Sequence, residues 1–249
     1  MKRIIDLMRL DIIAMRAKKL SLWKLFAAVT VLSLVLGLIS PVFLYFLLFA
    51  ISFTAAQAMI DLNNTYEGEM TYAVIPAARK QIVIARYALV MLVLTAVGAL
   101  SLIILKIRYA LGVSLILDDS LSEVLGMKMN DNGLFSVLLC LFFAVALIFN
   151  ANVLSGFFKT GKKGVKGSMF RAYLILLAAW AGLAVVFVAE STLSVKPLHA
   201  ALQVLFTTLS ALSVPYNGAL LCAFAIVGAY GYVFYKAACS VIDYEEREL

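Results

Sequence analysis

Long apolar runs alternate with short polar connections along the whole chain. A helix that crosses a bilayer needs roughly 20 mostly apolar residues. The longest runs therefore predict six membrane-spanning helices, at residues 22–40, 42–60, 87–104, 134–158, 172–189 and 218–241. Another apolar run, at 198–213, is short and contains Gln203, Thr207 and Thr208. Its length suits a segment that enters the membrane only part-way, and we interpret residues 190–217 as an outer re-entrant hairpin.

The first part of the chain, residues 1–20, has the pattern of an amphipathic helix. Apolar residues recur there at helical spacing, and basic residues occupy the positions between them. The two sets are Ile5, Met8, Ile12 and Met15, and Arg3, Arg9, Arg16, Lys18 and Lys19. Such a helix is expected to lie along the membrane surface with its apolar face at the headgroup boundary. The alternative interpretation is a simple cytoplasmic flank of the first span.

Basic residues are concentrated in alternate connections, which sets the orientation of the predicted spans. Cytoplasmic segments of membrane proteins carry an excess of Lys and Arg. Here that excess lies in the N-terminus, in the connections after the second and fourth spans, and in the C-terminal flank. The exceptions among the 21 Lys and Arg residues are Lys106, Arg108, Lys128 and Lys196. Both termini are therefore predicted to be cytoplasmic, which fits six spans and argues against a full crossing by 198–213.

The composition agrees with a single transmembrane domain that occupies residues 1–249. Hydrophobic residues make up 64% of the sequence, whereas soluble domains contain about 45–50%. Charged residues make up only 14% and are clustered in the connections, none of which is long enough for a large soluble domain. The predicted fold class is an all-α, polytopic membrane protein, with membrane lipid as a partner and no nucleic acid.

No motif for catalysis, metal binding or nucleotide binding occurs at the spacing that such sites require. The three cysteines lie apart in apolar runs and His199 is the one histidine, so no metal-ligand cluster is predicted. Residues 156–163, GFFKTGKK, come within one residue of the phosphate-binding pattern GxxxxGK[ST]. They follow a predicted membrane helix rather than a strand, and Lys163 replaces the hydroxyl that holds magnesium. We expect the chain to be no enzyme and to bind no cofactor itself.

The connection at residues 61–86 combines an acidic first half with a basic second half. Its charged and kinked positions include Glu67, Glu69, Pro76, Arg79, Lys80 and Arg86. The simplest interpretation is a solvated loop whose basic residues set the topology. Acidic residues have little topogenic effect, however, so topology explains the basic half but not the acidic half. A polar loop between two membrane helices is a place where a protein partner can push or pull.

The second half of this loop resembles bacterial type-2 ABC exporter permeases. Residues 74–83 read VIPAARKQIV and are followed by Arg86 and Tyr87; that family carries a similar pattern, LP-x-x-R-x-x-I-V-x-x-R/K-Y, after the second span. Ile75 stands where the family commonly has Leu. The six-span layout, the basic amphipathic start and the broken outer segment before the last span are also similar. Within the family the similarity is greatest to permeases that export phenol-soluble modulins, which are amphipathic helical peptides.

The resemblance implies the membrane subunit of an ATP-driven exporter in the bacterial plasma membrane. Two permease subunits, forming a homodimer or a heterodimer, pair across a cavity, and separate ABC ATPase subunits bind ATP and Mg²⁺ and dock from the cytoplasm. Residues 61–86 are then the cytoplasmic coupling loop. The coupling residues implied by the resemblance are Glu67, Glu69, Pro76, Arg79 and Lys80. The cargo is expected to be amphipathic or hydrophobic: a peptide toxin, an antimicrobial peptide or a lipid-like molecule.

Aromatic residues form a stripe on the predicted second span. Phe43, Phe46 and Phe53 recur there, with Ala50, at helical spacing. Such a stripe usually packs one helix on another, and the lining of an apolar substrate path is the alternative interpretation.

Two other functional classes also fit the sequence. One is a permease-like subunit for sensing or resisting antimicrobial peptides without transport, and the other is an ion-coupled or facilitative carrier.

Overall fold

The structure, a computed structural model, describes the chain in five continuous ranges and one interrupted range. These are residues 2–17, 30–38, 78–112, 132–160 and 215–246, and 43–55 without 46, 49 and 53. Within this part of the chain every residue is helical except Ala78, Leu111 and Gly112. The long helices are α1 (Lys2–Ala17), α2 (Arg79–Ala110), α3 (Asn132–Thr160) and α4 (Pro215–Glu246). A shorter apolar helix, Phe43–Ser52, lies between α1 and α2 in the chain.

In the part of the chain that the structure describes, three helices are long and apolar enough to cross a membrane. They are Arg79–Ala110, Ser136–Lys159 and Gly218–Glu246, and they correspond to the predicted third, fourth and sixth spans. The all-helical class and a transmembrane-like character are thus confirmed for the described residues. The predicted first and second spans are described only in part, and the fifth, at 172–189, lies outside the described residues. The six-span layout and the cytoplasmic termini stay predictions.

Two helices begin earlier than the apolar runs predicted. α2 begins at Arg79, within the predicted loop 61–86, because Arg79, Lys80 and Gln81 are good helix formers although they are too polar for lipid. An apolar-run criterion finds only the part of a helix that crosses the membrane. α4 begins at Pro215, inside the predicted hairpin 190–217, and proline suits the first helical turn because its missing N–H would have no intrahelical partner there. The rest of that hairpin lies outside the described residues.

The helices α2, α3 and α4 pack around an apolar core, and α1 packs on the first half of α2. Leu94 of α2 and Leu147 of α3 are completely buried in that core. The apolar stretch of α3 is the most buried of the three and that of α4 is the least buried, so α3 is the central helix. A separate small cluster of Leu7, Ile82 and Ala85 joins α1 to α2.

Gly98 is a point of close approach between α2 and α3. A Cβ atom added there would lie 2.8 Å from the ring of Phe143, whereas a Cβ atom added at Gly228 on α4 would meet nothing within 4 Å. We expect Gly98→Ala to destabilise the protein by about 1–3 kcal/mol, because the packed ring must move. The matched control, Gly228→Ala, should be neutral or slightly stabilising, since Ala favours helix over Gly. Thermal unfolding in detergent measures both, and equal effects would contradict this packing.

Candidate functional site

The predicted coupling residues are only partly described by the structure. Glu67, Glu69 and Pro76 lie outside the described residues. Arg79 and Lys80 form the first turn of α2, and both side chains are exposed. The structure therefore places the two basic residues at an accessible helix end and leaves their relation to the acidic ones as a prediction.

The predicted substrate path is also described only at one position. Phe43 is 37% exposed, while its neighbours Leu44 and Leu47 are buried in the core. Phe46 and Phe53 lie outside the described residues. Phe43 is thus on the outer face of the short helix Phe43–Ser52, and its role as part of a substrate path stays a prediction.

A buried charged pair lies further along α2. The side chains of Arg86 on α2 and Asp11 on α1 are only 2% and 1% exposed. The two groups interact electrostatically: burial raises the pKa of Asp11 from its ordinary value to about 6, and the charge of Arg86 opposes that rise. Tyr244 of α4 also interacts electrostatically with Arg86. Buried charges are costly unless they are paired, so each of these two groups lowers the cost of burying the other.

The next residue, Tyr87, joins α2 to the other two long helices. Its hydroxyl donates to the carbonyl oxygen of Ala151 on α3 at 3.1 Å. The same hydroxyl lies 2.9 Å from the Oγ atom of Ser240 on α4, and either group can donate in that contact. The Ser240 hydroxyl is also 2.7 Å from the Lys236 carbonyl oxygen. The Tyr87 hydroxyl therefore joins α2 to both α3 and α4 at one level, while the contact between Ser240 and Lys236 lies within α4.

Aromatic rings surround these polar groups. The Phe158 ring of α3 stacks on the Tyr87 ring with centroids 6.2 Å apart, and it meets the Tyr244 ring edge-on at 5.5 Å. Offset and edge-to-face pairs of this kind are favourable beyond their apolar area. We call the group of Asp11, Arg86, Tyr87, Ser240 and Tyr244 the helix junction. It is the place where α1, α2, α3 and α4 all meet.

Two asparagines hold α3 to its neighbours beyond the junction. Asn150 is fully buried and donates through Nδ2 to Ser52 Oγ at 2.6 Å and to the Ala146 carbonyl at 2.9 Å. Asn152 accepts a hydrogen bond from the Tyr232 hydroxyl of α4 at 2.7 Å. Side-chain hydrogen bonds between membrane helices contribute about 0.6 kcal/mol on average, so these contacts set helix register rather than supply most of the stability.

The sequence interpretation missed the junction for two reasons. It placed Arg86 in a solvated loop, although Arg86 and Tyr87 are the last positions of the motif that carries the family resemblance. It also assigned the apolar face of α1 to a stripe that includes Ile5. In the structure Ile5 is half exposed and the buried face is centred on Leu7 and Asp11. The available signal was Asp11, a carboxylate one helical turn after Leu7. A carboxylate is assigned to the polar face of a helix unless its buried partner is known.

Comparisons with models of known protein families, with curated proteins and with solved structures gave no match. In the part of the chain that the structure describes, no group of three or more His, Cys, Asp or Glu residues is arranged to hold a metal ion.

Proposed function

We propose that the chain is the membrane-spanning permease subunit of an ATP-driven exporter of the bacterial plasma membrane. A separate ABC ATPase binds and hydrolyses ATP, and the permease moves an amphipathic or hydrophobic cargo out of the cell. A second permease subunit, a copy or a different chain, completes the cavity. The observation that carries the proposal is that the motif found in residues 74–87 ends at Arg86 and Tyr87, which lie in the helix junction.

The length of α2 supports a coupling role for the residues before it. At 1.5 Å per residue its 32 residues span about 48 Å. The hydrocarbon core of a bilayer is only about 30 Å thick. The helix is therefore long enough to carry Arg79 and Lys80 beyond the lipid, where a cytoplasmic partner can reach them. A rigid helix that is exposed at one end and enters the helix junction a few turns later can transmit a displacement.

The mechanism follows from this arrangement. ATP binding draws the two ATPase subunits together, and the displacement of residues 61–86 moves the first turns of α2. Because Arg86 and Tyr87 interact with groups on α1, α3 and α4, those helices move with α2 and access to the cavity changes. The predicted spans carry no Asp, Glu, Lys or Arg away from their ends, and helices of this composition suit an amphipathic or lipidic cargo better than an ion.

Charge reversal in the loop tests the coupling role. We expect Glu67→Lys/Glu69→Lys to lower stimulation of the ATPase by at least about tenfold, the effect of losing roughly 1.4 kcal/mol of docking free energy. The matched control is Asp118→Lys/Asp119→Lys, the same change in a connection predicted to lie outside. ATPase pull-down and hydrolysis assays with both proteins in one membrane provide the measurement. Unchanged docking and transport in the loop variant would remove the coupling assignment.

Vesicle transport separates the exporter from the two alternatives. The full chain is reconstituted with its co-purified ATPase, and a fluorescent amphipathic helical peptide serves as the cargo probe. An exporter gives movement that depends on ATP. A sensing or resistance subunit binds the ATPase or the peptide without such movement, and a carrier moves cargo without any ATPase.

A further inference from the structure

The attachment of α1 to α2 combines a small apolar contact with a buried charge pair. The apolar part consists of a small buried cluster of Leu7, Ile82 and Ala85, together with Met8 and Ile12, which are partly buried against the main core. Apolar contacts of this kind are non-directional, so they allow one helix to slide or rotate on the other. A buried ion pair does not, because displacement of either charge leaves its partner buried without compensation. Asp11 and Arg86 therefore determine the register in which α1 sits on α2.

The opposite face of α1 carries both apolar and basic side chains. Ile5, Leu10 and Ile13 are 50%, 37% and 59% exposed; Arg3 and Arg9 are exposed beside them, and the one exposed acid there, Asp6, leaves the described part of this face with a net positive charge. Exposed isoleucines next to arginines on one helix are the chemistry that binds a membrane surface with anionic headgroups. One face of α1 is thus fixed to α2, and the other is complementary in charge and in apolarity to anionic lipid.

We propose that α1 and the first turns of α2 move as one unit, held in register by the Asp11–Arg86 pair, and that the exposed face of α1 rests this unit on the anionic inner surface of the bilayer. The inference deepens the proposed function, on which it rests for its role in transport. α1, held at the lipid surface, is then the fixed point about which a displacement of residues 61–86 turns α2. Asp11 acts through Arg86, and it is a positioning residue.

Hydrogen exchange of the α1 amides tests the pairing without any ATPase or cargo. The full chain in nanodiscs at neutral pH should show exchange in α1 at least about tenfold faster for Arg86→Asp and for Asp11→Arg, since each places like charges together in a buried contact. The double variant Asp11→Arg/Arg86→Asp should restore protection to near the original. Arg86→Lys should stay protected, because it keeps the charge.

A matched charge reversal elsewhere on α2 is the control for the Asp11–Arg86 variants. Lys80→Asp makes the same reversal at an exposed position of α2 and should leave α1 protected. Amides around Leu94 and Leu147 report whether the core is folded in every variant. Protection of α1 that persists in both single variants overturns the pairing, and so does a folded double variant that fails to regain it.

Amide exchange in two lipid compositions tests the proposed contact between α1 and anionic lipid. In nanodiscs of phosphatidylcholine with phosphatidylglycerol, α1 should exchange several-fold more slowly than in phosphatidylcholine alone. Arg3→Glu/Arg9→Glu should abolish that difference, and a difference that survives, or one never seen in the unmodified chain, overturns the lipid contact. These experiments do not involve the ATPase, so their failure is distinguishable from failure of the exporter assignment. With an ATPase present, the single charge variants should lower its stimulation and the double variant should restore it.

Discussion

Tyr87→Ala is expected to destabilise the protein by about 3–5 kcal/mol, the range for removal of a large buried aromatic side chain. Tyr87 is 3% exposed and stacks on Phe158. Its truncation leaves a cavity between α2 and α3 and removes the hydroxyl that contacts Ala151 and Ser240. Unfolding by titration of the detergent-solubilised protein with a denaturing detergent gives the free energy.

Two further variants separate the causes of this effect. Tyr87→Phe keeps the ring and loses only the hydroxyl contacts, so about 0.5–1.5 kcal/mol is expected. Tyr109→Ala removes the same side chain from the same helix at a position that is 64% exposed, and a change within about 0.5 kcal/mol is expected there. A Tyr87→Ala effect as small as that of Tyr109→Ala would mean that Tyr87 does not hold the helices together.

Helix length and apolarity were sufficient to predict α2, α3 and α4, because a bilayer requires long uninterrupted apolar runs. The same criterion could not predict where the helices begin. The turn that contains Arg79 and Lys80 is helical but too polar to count as membrane-spanning, and Pro215 interrupts an apolar pattern although it begins a helix. Helix ends depend on backbone geometry and local propensity, to which an average over an apolar window is insensitive.

The helix junction could not be predicted from the sequence for a different physical reason. A charged residue in a pattern is counted as solvated, and only its pairing with a distant residue reverses that assignment. Asp11 and Arg86 are buried together, and the charge of Arg86 offsets part of the cost of burying Asp11; the sequence around either position does not identify the other as its partner. The hydroxyl contact of Tyr87 with Ser240 likewise joins positions far apart in the chain. Motif resemblance pointed to Arg86 and Tyr87 but carried no information on their partners.

Acidification is expected to strengthen the docking of α1 on α2. Burial raises the pKa of Asp11 to about 6 in the docked helix, despite the opposing charge of Arg86, whereas an aspartate in water has a pKa of about 3.9. The docked state therefore binds the proton more tightly. Docking is strongest below about pH 4 and weakens as the pH rises towards about 6, by about 100-fold at most for a difference of two pH units.

Arg86→Gln brings this response closer to neutral pH. The substitution removes the charge that lowers the pKa of Asp11, so that pKa rises further and ionised Asp11 is buried without its counter-charge. Docking should be weak at pH 7 and recover on acidification. Distances between spin labels on Ile13→Cys and Lys80→Cys measure it, with the native cysteines replaced by alanine. Both label positions are exposed, and the distance itself has no intrinsic pH dependence, unlike amide exchange.

Two controls assign the response to a single carboxyl group. Asp6→Asn changes an exposed acid on the same helix and should leave the pH dependence of the Arg86→Gln protein intact. Asp11→Asn/Arg86→Gln should be docked to the same extent throughout this pH range, because neither buried position can then change its charge. A pH response that persists without Asp11 would assign it to a different group. A response lost with Asp6 alone would place the proton on the exposed face of α1 rather than in the helix junction.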